Sequence, residues 1–141
     1  MRRLLFTLVL LFATPAYADN YKILRVLDGD TVEIEAPFLP KPLKPSLLLR
    51  MEGIDTPEIG GKAKCPLENK LANQAKALVE TELKSAKSVN VVLVHWDKFG
   101  GRVIGKIFVD GALLSDKLIA AKLAVPFTGK DRKSTRLNSS H

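Results

Sequence analysis

Three short segments bring together residue types that could work on a phosphate ester. Asp28-Gly29-Asp30-Thr31 supplies two carboxylates, Arg50 is followed by Asp55-Thr56-Pro57-Glu58, and Asp97-Lys98-Phe99-Gly100-Gly101-Arg102 ends in a second arginine. Carboxylates are hard oxygen ligands for a divalent cation, and a guanidinium fork matches the oxygens of a phosphate. Each segment also has a plainer reading. Aspartate-glycine pairs make tight turns without any metal. Asp55-Thr56-Pro57 can start a helix or turn, with Pro57 setting φ. Arg50 stands in Leu47-Leu48-Leu49-Arg50-Met51, an apolar setting that calls for an anionic partner, and a structural pair with Glu52 or Asp55 would meet that need. Arg102 alone reads as a solvated loop charge. The chemical reading requires Asp55 to meet Asp30, and two carboxylates forced together repel unless a cation lies between them.

The elements that must position these residues are short. Residues 22–27 read as a strand and Asp28-Gly29 as a hairpin turn. Thr31 to Glu35 alternates, with Val32 and Ile34 on one face and Glu33 and Glu35 on the other, as a half-buried strand would. Pro37, Pro40, Pro42 and Pro45 stud a loop that cannot sit inside a sheet, leading to a strand from Leu47 to Glu52. Cys65-Pro66 opens a helix whose apolar stripe is Leu67, Leu71, Ala75, Leu78, Val79, Leu83 and Ala86; Lys70, Lys76, Glu80 and Lys84 form its solvated side. Strands follow over Val89 to Val94 and Val103 to Val109, and a helix from about Ser115, its N-cap, to Leu123. The order β-β-β-α-β-β-α, with antiparallel signals, predicts an α+β domain that is mainly β. The expected architecture is a five-stranded OB-fold barrel with one inserted helix and at least one C-terminal helix, since closure removes exposed edges. His95 and Trp96 end a strand without ligand-spaced partners and read as core or rim packing. The sequence has no zinc-ligand spacing, P-loop or serine triad, and Asp28 to Thr31 lacks the spaced acids of an EF-hand.

Both ends are set apart from the domain. Arg2-Arg3, the apolar run Leu4 to Phe12 and Ala16-Tyr17-Ala18 make residues 1–18 a secretory signal cleaved after Ala18. The run is too short to span a bilayer, so no membrane anchor is expected after cleavage. Residues 131–141 have no apolar period, and one choice of codons for them reproduces a common sequencing adapter in frame. They are read as a translated adapter rather than a basic tail, leaving residues 19–130 as the domain and its natural C-terminus missing. The chain carries +7; Arg2 and Arg3 account for two and residues 131–141 for another two, so residues 19–130 carry +3. That mild basicity suits a polyanion and does not demand one. Cys65 is the only cysteine, an odd count that suggests a free thiol, a dimer or a lost partner.

As a set, D-G-D-T, R-x4-D-T-P-E and the aromatic-glycine-arginine turn resemble the staphylococcal nuclease family over roughly residues 20–127. The resemblance implies an exported, Ca²⁺-dependent nuclease that cuts DNA and RNA with little sequence preference and leaves 3′-phosphates. It implies a monomer without a stable protein partner, in the periplasm or outside a bacterial cell. It implies Asp30, Asp55 and the main-chain carbonyl of Thr56 as ligands of Ca²⁺. Glu58 would orient or deprotonate the attacking water, and Arg50 and Arg102 would hold the scissile phosphate. Asp28 would be a nearby second acid, and Lys98, Phe99 and Phe127 would meet the substrate. Phe99 and Phe127 stand where the family has tyrosines, so grip on the substrate is the property the departures touch. Exported relatives often carry a later cysteine, which implies a disulfide partner for Cys65 beyond the point where this chain departs. The alternative is a non-catalytic OB module that binds single-stranded nucleic acid; such a module has no need to keep Arg50, Asp55, Glu58 and Arg102 together.

Overall fold

The computed structural model describes residues 21–98 and 100–128, so the signal at 1–18, Phe99 and residues 131–141 lie outside the described residues. The elements are β1 Ile23–Val26, β2 Thr31–Glu35, β3 Ser46–Met51, β4 Ile54–Asp55, a 3-10 turn Gly60–Lys62, α1 Pro66–Ser85, β5 Val89–Trp96, β6 Arg102–Val109, β7 Ala112–Leu113, α2 Leu114–Ala120 and β8 Val125–Pro126. The domain is α+β and mainly β. Five strands run in the order β1-β2-β3-β6-β5 as a curled half-barrel, β7 extends β6, and β4 pairs with β8. The sheet is not uniformly antiparallel: β3 and β6 pair in parallel, from Leu48 opposite Arg102 to Met51 opposite Gly105. A parallel neighbour needs a long crossover, and α1 with β5 provides it.

One face of the sheet forms the core. Val32, Ile34, Leu49, Met51, Ile107 and Val109 are almost fully buried, with Ala75 and Val79 from α1 and Leu114 and Leu118 from α2 packed among them. Each such aliphatic side chain contributes about 1.5–3 kcal/mol on burial. The other face carries Thr31, Leu48, Arg50, Arg102 and Ile104, because Arg50 lies opposite Thr31 on one side and Ile104 on the other.

Several expectations change at the level of single side chains. Glu33 does lie on the outward face, yet it is only 6% exposed, because Arg25, Lys44 and Ser46 converge on it. Leu67 is exposed, and Ala72 takes the buried place in the first turns of α1. Leu67 sits one residue after Pro66 at the helix start, and the buried residues of α1 begin a turn later, at Ala72. Ser115 is buried inside α2 rather than capping it; the N-cap is Leu113, since β7 runs directly into the helix. Glu68 closes the start of α1 by accepting from the Lys64 amide at 2.6 Å, in the manner of a capping box. Among the described residues no helix is long and apolar enough to cross a membrane.

Candidate functional site

The first cluster begins in the β1–β2 turn. Leu27 and Asp28 amides donate to the Thr31 carbonyl at 3.0 and 3.3 Å, and the Asp30 amide donates back to Asp28 Oδ1 at 3.1 Å. Gly29 is required here by close approach. A Cβ on it would lie 2.7 Å from the Ala75 Cβ and 3.1 Å from Thr56 Cγ2, so the turn packs directly on α1 and on the segment after β4. The turn is also fixed from below, because the Met51 amide donates to the Asp30 carbonyl at 2.8 Å.

These contacts bury Asp30 to 7% exposure, and Thr31 Oγ1 donates to its carboxylate at 3.0 Å. Burial, followed by the neighbouring Asp28 carboxylate, pushes the Asp30 acid up from 3.8 to about 7, against the opposing pull of Arg50 and Thr31. Arg50 reaches this carboxylate from β3. Its Nη2 lies 3.6 Å from Asp30 Oδ2 and 3.0 Å from Asp55 Oδ1. Asp30 and Asp55 are therefore gathered around one guanidinium nitrogen, and the structural pairing of Arg50 with Asp55 is present as well. Thr56 is buried beside Gly29. Glu58 is exposed in the stretch after β4 and is not among the residues lining the cleft that holds the arginines.

That cleft, about 650 Å³, lies on the outward face between β3, the end of β5 and the start of β6. Arg50, Arg102, Lys98 and Phe127 all line it. Phe127 is placed by β8: Asp55 pairs with Val125, the Phe127 amide donates to the Gly53 carbonyl at 2.9 Å, and its ring lies 5.9 Å from the Arg50 guanidinium carbon. Arg102 is not a solvated loop charge. Its Nε donates to Asp97 Oδ2 at 2.6 Å and its Nη2 contacts the same oxygen. The turn between them needs glycine twice in succession, at Gly100 (φ 69) and Gly101 (φ 65), and closes through Asp97 N to Arg102 O at 2.9 Å.

Four further residues line the cleft. Asp97 orients Arg102, a role its spacing of five residues across a glycine turn could have signalled. Glu52 adds a carboxylate to the wall, 3.6 Å from Lys106 Nζ. Trp96 and His95, read from the sequence as core or rim packing, take the rim: both are exposed at the end of β5 and line the cleft.

Among the described residues no group of three or more His, Cys, Asp or Glu side chains is close enough to hold a metal ion. The donors present are all oxygens, which suits a hard cation such as Ca²⁺. Asp30 is a buried acid facing a second acid with one hydroxyl donor, and added positive charge would relieve that arrangement. No protein-family model and no curated protein matches this chain.

Proposed function

We propose that this protein is an exported, Ca²⁺-dependent nuclease that hydrolyses phosphodiester bonds of DNA and RNA. The reading is supported chiefly by Arg50 and Arg102, which project from adjacent parallel strands on one face into one cleft. Two guanidiniums so placed form a clamp for a phosphate, and Lys98 adds charge at the rim. The finer fold reading, an OB-type barrel, is proposed with it, since the curled sheet has the strand order and the inserted helix such a barrel requires.

Asp30, Asp55 and the Thr56 carbonyl would hold the cation. When bound, it supplies charge to the phosphoryl oxygens as they become more negative. Arg50 and Arg102 neutralise the same oxygens, a contribution that is usually the largest in such sites. Asp97 keeps Arg102 in one orientation, so less reorganisation is needed as the charge develops. Glu58 would orient or deprotonate the attacking water, base catalysis being worth typically about 10²–10⁴-fold; this role rests on the resemblance alone. Signal cleavage and release to the periplasm or medium belong to the same proposal.

The protein should degrade DNA and RNA with Ca²⁺ and spare both in chelator, leaving 3′-phosphate ends. Glu58→Ser and Arg102→Gly should each lose most activity while far-ultraviolet circular dichroism stays unchanged. Equal activity in chelator overturns the metal assignment. Binding of single-stranded nucleic acid with no cleavage under any metal would leave the binding-module reading, which the exposed ring of Trp96 in the cleft favours.

A further inference from the structure

The connection from β2 to β3 leaves large apolar side chains in water. Phe38 and Leu43 are each 57% exposed, although the loop that carries them is firmly built. Its ends are joined, because the Ala36 amide donates to the Pro45 carbonyl at 2.8 Å and Glu35 lies opposite Ser46. Two turns follow one another within it, closed by Leu39 N to Ala36 O at 3.2 Å and Leu43 N to Pro40 O at 3.0 Å. Leu39 packs against the core, and the Tyr21 ring meets Phe38 edge-on at 6.2 Å. Leu39 therefore ties the loop to the domain while Phe38 and Leu43 stay outside.

The backbone of this loop suits an apolar medium. An amide hydrogen without a partner is costly outside water. Four of the ten residues from 36 to 45 are prolines, which have none, and the Ala36, Leu39 and Leu43 amides are bonded within the loop. Charge points the same way. Residues 36–46 include no aspartate or glutamate, and Lys41 is exposed between the two apolar side chains. At the base, Arg25 and Lys44 meet Glu33, and the Lys22 carbonyl accepts from the Glu35 amide. Lys22, Arg25, Lys41 and Lys44 thus outnumber Glu33 and Glu35. An aromatic and an aliphatic tip with lysines around them match the interface of an anionic bilayer, where apolar groups enter the headgroup boundary and cations meet the lipid charge. A proline-rich ligand for a protein domain is instead an extended polyproline helix, and the two closed turns are incompatible with that shape.

We propose that the 37–45 loop docks this protein on a membrane surface bearing anionic lipids, with Phe38 and Leu43 inserted at the headgroup boundary. The loop joins β3 at Ser46, whereas Arg50 lies four residues further on, roughly 13 Å along the strand. Docking by the loop therefore leaves the arginine cleft away from the contact. The inference goes beyond the nuclease reading and does not depend on it.

The test uses the chain from Asp19 onward, so that the apolar run Leu4 to Phe12 cannot itself enter lipid. The protein is sedimented with sucrose-loaded vesicles of phosphatidylcholine alone, and of phosphatidylcholine mixed with phosphatidylglycerol. The mixed vesicles should carry the protein down, and the neutral ones should carry little. Phe38→Ser and Leu43→Ser should each weaken partitioning roughly tenfold while far-ultraviolet circular dichroism stays unchanged. Lys41→Glu should weaken it as well, and so should molar salt. Phe38→Trp supplies a second readout: its emission should shift to the blue on mixed vesicles, beyond any change in the parent chain, whose one tryptophan is Trp96. Partitioning that survives both serine substitutions, or that is equal on neutral vesicles, overturns the proposal. Absence of partitioning onto mixed vesicles overturns it too and leaves the loop to a protein partner.

Discussion

Asp30 and Glu33 stand three residues apart at and within β2, both under a tenth exposed, and their surroundings are opposite. Glu33 is met by Arg25 Nε at 2.5 Å, Ser46 Oγ at 2.6 Å and Lys44 Nζ at 2.8 Å. Those donors, led by Lys44 and Ser46, hold its acid down from 4.5 to about 2. Asp30 has burial and Asp28 against it and is pushed up to about 7. A carboxylate satisfied by its neighbours serves the fold. One left short of positive charge, with its acid pushed up, is a candidate for a functional role. The difference separates residues that stabilise this domain from residues that cost it stability.

The largest expected effect comes from exchanging the two acids' charges one at a time. On the proposed function, Asp30→Asn should lower nuclease activity on the order of 10²-fold or more, because it would remove a ligand of the proposed cation. The same change should stabilise the metal-free protein at pH 8. A shift from 3.8 to about 7 corresponds to roughly 4 kcal/mol of unfavourable burial, part of which is returned by the loss of the Arg50 contact. Glu33→Gln should do the opposite, lowering the melting temperature while retaining catalysis. Thermal melts in chelator, paired with activity in Ca²⁺, decide it; a destabilised, active Asp30→Asn would reverse the assignment of the two acids.

Next in size is the response to pH. Asp30 has its folded value above its unfolded one, so its unfavourable contribution is absent below about 4 and grows as pH rises through about 7. Glu33 has its folded value below its unfolded one, so its favourable contribution is present above 4.5 and is lost as pH falls toward about 2. From these two acids the metal-free protein should therefore be most stable near pH 4 and lose stability as pH rises toward about 7. A cation at Asp30 must displace a proton below about pH 7, so Ca²⁺ should raise the melting temperature more at pH 8 than at pH 5. A calcium-induced shift that is equal at both pH values would separate Asp30 from the cation.

The contrast between these acids was only half legible in the sequence. The Asp28-Gly29 turn, the Val32 and Ile34 core positions and the inserted helix follow from local rules, and the structure has them. Alternation put Glu33 on the solvent face correctly and could not register that Arg25, Lys44 and Ser46, from three separate segments, cover it. The Asp97–Arg102 pair is local, five residues apart across a glycine turn, whereas the exposure of Trp96 depends on where β5 ends in the sheet. The parallel pairing that puts Arg50 and Arg102 on one face is a long-range choice that no window of residues encodes. The meeting of Asp30 and Asp55 at one nitrogen of Arg50 likewise required the three-dimensional arrangement, since their separation of 25 positions carries no period.

The smallest effect sharpens the description of Glu33. Of its three donors, Lys44 is the one in the proline-rich loop, and its side chain is 72% exposed. An ion pair so open to solvent contributes about 0–1 kcal/mol and is screened by salt. Ser46 lies on β3 and Arg25 on β1, so those two donors join strands rather than tether the loop. Lys44→Met should therefore cost no more than about 1 kcal/mol in urea unfolding, and the cost should vanish in molar salt. Ser46→Ala should cost more, because it removes a short hydroxyl bond to the buried carboxylate and leaves that oxygen to the exposed Lys44 alone, and it should depend less on salt. A larger, salt-independent loss for Lys44→Met would make the loop part of the domain's stability and would move Glu33 from joining strands to anchoring the 37–45 segment.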